Sequence, residues 1–119
     1  MSELLEKHGF HFQKKYGQNF LQDVKIPRRI AAECTEYAEP AGFVPDTCDT
    51  PKIPALILEI GPGAGILTGE LAKRFEKVVA VEIDRSLEGV LAESLAPYDN
   101  AEVVFGDIME TDLNELLTP

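Results

Sequence analysis

Three short stretches of this chain carry residues whose types and spacing suit one ligand: Glu59-Ile60-Gly61-Pro62-Gly63-Ala64-Gly65, a run ending in Glu82, and Gly106-Asp107. In a glycine turn of this kind the first glycine permits a tight reversal. The second lets a ligand approach the backbone without meeting a Cβ, and the third brings the following helix close to the sheet. A helix starting there would turn its free N–H groups toward an anion. Glu82 lies 21 positions after Gly61, the spacing at which an acidic residue accepts from both hydroxyls of a ribose. Asp107 offers an acceptor for an adenine amino group. Taken singly, each has a plain structural reading: a packed βα turn, a glutamate at a strand end, an aspartate capping a loop. Taken together, they describe a site for an adenosine-containing molecule.

The dinucleotide fingerprint is G-x-G-x-x-G, whereas this chain reads G-x-G-x-G with Ile66 where the third glycine would fall. No arginine nearby is placed for a phosphate. A ligand with a carboxylate, a ribose and an adenine but no pyrophosphate fits better, and that is S-adenosylmethionine. Two other readings stay open on these residues alone: a fragment of a nicotinamide-dependent oxidoreductase, and a non-catalytic module that binds S-adenosylmethionine or RNA.

The elements that must position these residues follow from hydrophobic pattern. Ala55–Ile60 is a short apolar run that fits a buried parallel strand, and Lys77–Glu82 and Ala101–Phe105 supply two more. Ile66, Leu67, Leu71 and Phe75 share one helical face, and Leu87, Val90, Leu91 and Leu95 share another that Pro97 closes. The order βαβαβ predicts an α/β fold with a parallel sheet, Rossmann-like, with ligands at the carboxyl ends of the strands. Ahead of it, Ile26, Ile30, Ala31, Cys34 and Tyr37 predict a helix over 24–38, with Asp23 as N-cap and Pro27 in the first turn. Residues 1–22 read as a basic, aromatic arm with a short helix at its start. Residues 39–54, with five prolines and glycines, read as a loop. Leu113, Leu116 and Leu117 suggest a last helical turn. The domain is thus expected to span 23–119.

Composition restricts the classes. The 119 residues are 45% hydrophobic and 27% charged, ordinary values for one globular domain. The longest unbroken apolar stretch near the first strand is Ala55-Leu56-Ile57-Leu58, far short of the roughly 20 residues a membrane helix needs. The N-terminus carries Glu3, Glu6 and Lys7 and has no apolar run, so a secretory signal is not expected and cytoplasmic residence is. Cys34 and Cys48 read as free thiols, with no metal site around them. The net charge of −10 is uneven. Residues 1–30 hold six basic and three acidic side chains, a balance of +3, and residues 31–119 hold five and eighteen, a balance of −13. From charge alone the plainer reading is a solvated basic face; the alternative is an RNA backbone met by Lys14, Lys15, Arg28 and Arg29, with Phe12 or Tyr16 available to stack on a base.

Tyr16-Gly17-Gln18-Asn19-Phe20-Leu21, Leu58–Thr68, Val81-Glu82-Ile83-Asp84 and Gly106-Asp107 together closely resemble the ribosomal RNA adenine N6,N6-dimethyltransferases of the KsgA type, related to the erythromycin-resistance methylases. The resemblance runs from about Lys14 to the C-terminus, interrupted by the proline-rich loop. It implies S-adenosylmethionine as cofactor and small-subunit rRNA as partner. Gln18, Asn19 and Leu21 would fold over the cofactor, Gly61 and Gly63 would line its methionine part, Glu82 would hold the ribose and Asp107 would read the adenine. Such enzymes place an Asn-Leu/Ile-Pro-Tyr motif at the end of a fourth strand, and these residues contain none. No catalytic residue is therefore assigned. The expectation is the cofactor-binding N-terminal portion of such an enzyme, inactive by itself. Its first strand would be left with an open edge on which a second copy can pair.

Overall fold

A computed structural model describes residues 2–11, 24–38 and 52–118. Strands β1 (Ile53–Ile60), β2 (Phe75–Glu82) and β3 (Ala101–Phe105) form a parallel sheet in the order β1-β2-β3. Parallel neighbours need crossovers rather than hairpins, and helices α3 (Ile66–Ala72) and α4 (Glu88–Ser94) provide them. Helices α1 (Ser2–Lys7) and α2 (Lys25–Ala38) precede the sheet, and α5 (Leu113–Leu117) follows it. The expected βαβαβ order is present. Ile60 pairs with Val81 and Glu82 with Phe105, so the three strands finish level and their C-terminal residues share one rim.

Two apolar clusters hold these layers together. One gathers Leu5, Ala64, Leu87, Val90, Leu91 and Leu95, and the other Ala31, Ile53, Leu71, Ala72, Phe75 and Val78. A fully buried Leu, Val or Phe side chain contributes about 1.5–3 kcal/mol by leaving water. All four apolar residues expected on the α4 face are buried.

Several boundaries differ from the sequence expectation. Phe75 is not on the α3 face but opens β2, buried opposite Ile53. β1 begins at Ile53, inside the stretch read as loop. Pro54 is tolerated there because β1 is an edge of the described sheet and its register slips between Ile53 and Leu56. β1 is also not buried on both sides: Ile53 and Glu59 are buried, while Leu56 and Ile60 on the opposite face are exposed. The start of the arm is a docked helix whose Leu5 enters the core.

On α2 only part of the expected stripe is buried: Ala31 fully and Cys34 half. Ile26, Ile30 and Tyr37 are exposed, whereas Pro27, Ala31 and Thr35 face the protein. Small side chains four residues apart let α2 lie close, and the Thr35 hydroxyl donates to Ala31 O at 2.9 Å, so its burial leaves no orphan donor. Asp23, Lys14, Lys15, Phe12, Tyr16 and Cys48 lie outside the described residues.

Glu70 locks α2 to α3. Its buried carboxylate takes Lys73 Nζ at 3.0 Å and Arg74 Nη1 at 3.2 Å, and Arg28 Nε lies 3.5 Å away. Arg28, expected to face phosphate, reaches Glu70 with its Nε while its side chain stays exposed. Burial opposes ionisation of Glu70, but hydrogen bonds from Lys73 and Arg74 and the charges of Lys73 and Arg28 outweigh it and hold the carboxyl below its usual range. A depressed carboxyl stabilises the fold above its unfolded pKa and loses that effect as pH falls through the folded one. Glu70→Gln should therefore lower unfolding free energy at pH 7 by about 1–2 kcal/mol, the partners being partly solvent-screened. Urea titrations of the two proteins should converge as the pH is brought below 4.5.

Candidate functional site

The site is built from the backbone of the β1–α3 turn and from two strand ends. Gly61, Gly63 and Gly65 all have positive φ, at 74°, 59° and 92°, a region other residues enter at a cost. A Cβ on Gly61 would meet nothing within 4 Å, so this part of the turn presents bare backbone to open space. Gly65 is different. A Cβ there would lie 2.8 Å from Ser94 Oγ and 3.2 Å from Leu91 Cδ2. The third glycine thus admits α4 to the turn, where the expectation was an approach of the following helix to the sheet.

The N–H groups of the turn serve the protein itself. Gly61 N–H donates to Val81 O at 2.8 Å, Gly63 N–H to Glu82 Oε1 at 3.1 Å and Gly65 N–H to Pro62 O at 2.9 Å. Such a turn is a poor phosphate cradle, which weighs against the nicotinamide dinucleotide reading and against an anion held by these N–H groups.

Glu82 is the hub. Its side chain is buried, and while Oε1 takes Gly63 N–H, Oε2 takes Asp84 N–H at 3.0 Å. Its main-chain oxygen accepts from Gly106 N–H at 2.9 Å. One residue therefore ties together the glycine turn, the start of the β2–α4 connection and the end of β3. A carboxylate has about four acceptor positions, so each oxygen keeps one for a hydroxyl. Asp107, next to Gly106, is half-buried and its Oδ1 accepts from Met109 N–H at 2.9 Å, capping a 3₁₀ turn over Ile108–Glu110. Asp84 does the same for Arg85–Leu87, taking Ser86 N–H at 3.0 Å and Ser86 Oγ at 2.6 Å.

Gly61, Gly63, Glu82 and Asp107 are thus brought to one rim. Gln18, Asn19 and Leu21 lie outside the described residues. No group of three or more metal-ligating side chains occurs among the described residues. Glu59 was not assigned a role from sequence, although an acid in an otherwise apolar strand was the available signal. It is buried, and Thr68 Oγ1 donates to its Oε1 at 2.5 Å.

A family model described as ribosomal RNA adenine dimethylase matches residues 9–119. This chain belongs to that family. It is 43% identical over 115 residues to ribosomal RNA small subunit methyltransferase A of Geobacillus kaustophilus, an alignment covering 97% of this chain and 34% of that protein. The chain therefore spans about a third of the length of the curated relatives it matches. The crystal structure of the 23S rRNA methyltransferase ErmE superposes with a TM-score of 0.59 at 38% identity, over 79% of this chain and 32% of that one. A dimethyladenosine transferase from Plasmodium falciparum gives 0.53 at 30% identity, over 79% and 30%. The fold is the Rossmann-like fold of the methyltransferases, as the sequence resemblance implied.

Burial is the main cause that pushes the Glu59 carboxyl up to about 7; the Thr68 hydrogen bond opposes the rise and the charge of Glu82 adds to it. A raised folded pKa means that the native state binds more protons than the unfolded one between the two values, so stability falls as pH rises through that window. Glu59 is expected to cost about 3 kcal/mol above pH 7 relative to pH 4. Glu59→Gln, an isostere of the neutral form, should abolish that decline. Denaturant unfolding across pH 4.5 to 8 reads the difference between the two proteins.

Proposed function

We infer that this chain is the cofactor-binding portion, centred on residues 23–119, of an S-adenosylmethionine-dependent rRNA adenine N6-dimethyltransferase acting on small-subunit rRNA. The observation that carries the reading is the Glu82 hub, a buried carboxylate with spare acceptor positions beside the bare backbone of Gly61. The donor set suits the cofactor. Glu82 would hold the ribose hydroxyls, Asp107 the adenine amine, and the Gly61–Gly63 backbone the methionine part. Gln18, Asn19 and Leu21 would close over it. Exposed Ile83 follows Glu82 and gives the base an apolar neighbour.

When bound, the cofactor supplies a sulfonium-activated methyl group, so no nucleophilic side chain is needed. The amine of adenine is a weak nucleophile because its lone pair is delocalised into the ring. Rate then comes from positioning and from acceptors that localise that pair. The residues here fix one reactant, and the acceptors for the target amine belong to the Asn-Leu/Ile-Pro-Tyr motif that these residues do not include. Cytoplasmic residence belongs to the same reading, the substrate being ribosomal. No helix among the described residues is long and apolar enough to cross a membrane.

Calorimetric titration with S-adenosylhomocysteine tests the reading. Binding should be measurable, and NAD should give none. Asp107→Ala should weaken binding roughly tenfold, the worth of one buried hydrogen bond, with Glu82→Gln weaker still because it also unpins Gly63 and Asp84. Equal binding by wild type and both variants would remove the assignment.

Self-association is the remaining part of the reading. Among the described residues the far edge of β1 has no strand beside it, and an open apolar edge invites a second copy. Sedimentation equilibrium should show a dimer forming as concentration rises, and a strictly monomeric profile at the highest concentrations rejects it.

A further inference from the structure

Helix α1 has six residues, too few to hold helical form without tertiary contacts. Its folding and its docking are therefore one event. The docking is built from three parts. Leu5 is buried in the cluster that contains Ala64, from the glycine turn, and Leu87, from the β2–α4 connection. Phe10, just beyond α1, packs against that cluster together with Phe105, the residue before Gly106-Asp107. On the surface, Glu93 of α4 takes Lys7 Nζ at 2.6 Å on Oε1 and His8 Nε2 at 2.8 Å on Oε2.

Gly89 marks the seat. Glycine weakens a helix, yet it stands within α4, where a Cβ would lie 2.8 Å from His8 Nδ1. The ring of His8 thus rests on bare helix backbone one turn before the carboxylate that holds its other nitrogen. A side chain at position 89 would push the His8 ring out of this seat.

We propose that docking of α1 on α4 through Lys7, His8 and Glu93 positions the cofactor site, with Glu93 as the positioning residue. The docked helix completes the cluster that takes in Ala64 of the glycine turn and Leu87 of the β2–α4 connection, with Phe105 of β3 packed against it. This rests on the cofactor reading above. Glu93 touches no cofactor. It acts by keeping α1 folded, so its loss weakens nucleoside binding while the sheet stays intact.

The test uses the full 119-residue chain, with S-adenosylhomocysteine as probe at pH 8. Wild type is compared with Glu93→Gln, Glu93→Lys, Gly89→Ala and the swap Lys7→Glu/Glu93→Lys. Hydrogen exchange at the amides of His8, Gly9 and Phe10, which donate to carbonyls of Leu4, Glu6 and Leu5, reports docking directly. Exchange should speed up in the three single variants, and Kd should rise roughly threefold to tenfold, in line with one exposed ion pair and one exposed hydrogen bond on a single carboxylate. Amides of β2 should keep their protection. The swap should recover most of the lost affinity, which a general loss of stability would not allow. Faster exchange in α1 with Kd unchanged within twofold overturns the positioning role, and unchanged exchange overturns the assignment of Glu93 as the anchor. Failure of the wild type to bind the probe at all overturns the cofactor reading on which both stand.

Discussion

The site depends on a buried carboxylate that is held in place before any ligand arrives. Glu82 spends one acceptor position of each oxygen on backbone N–H groups, from Gly63 and from Asp84. Those two amides belong to different connections, which would otherwise be free to move independently at the rim of the sheet. A loop carboxylate in water has rotamer freedom to lose when it grips a ribose. Glu82 has already lost it during folding, so binding need not supply that entropy. The glycine turn is likewise fixed by the carboxylate as much as by its own torsion angles.

This explains which parts of the architecture were legible in the sequence. The strand order, α4 and the acidic strand ends followed from apolar periodicity and from one spacing, because each reports a local repeat. Phe75 was misplaced because it sits at a helical interval from Leu71 while its partner across the sheet, Ile53, lies 22 positions earlier. Ile26, Ile30 and Tyr37 satisfied the helical period on α2 beside Ala31, yet the buried face joins Ala31 to Pro27 and Thr35 instead. Close approach to α3 selects small side chains over apolar ones, and that is a property of the neighbour. The docked state of α1 was hidden for the same reason, since Leu5 and His8 acquire meaning only against Leu91 and Gly89.

The candidate site shows the same division. Gly61, Gly63, Glu82 and Asp107 stood out because glycine and acid are unusual at apolar strand ends. Their partition of labour did not. Gly65 serves the packing of Ser94 and Leu91, and the turn amides point inward to Glu82 and to main-chain carbonyls. Gln18, Asn19 and Leu21 entered through family resemblance alone, since an amide in a polar segment carries no periodic signal.

Glu59 adds a constraint of charge. Two carboxylates at neighbouring strand ends, both screened from water, repel each other, and burial raises the cost further. The arrangement is tolerable because the two are treated differently. Glu82 is supplied with two backbone donors, whereas Glu59 has the single hydroxyl of Thr68 and a carboxyl pushed up to about 7. Near neutral pH a large share of Glu59 is therefore protonated, which relieves part of the repulsion between the two side chains. A cationic ligand seated at the rim would favour the ionised form of Glu59, and by linkage its binding would release a fraction of a proton from that carboxyl.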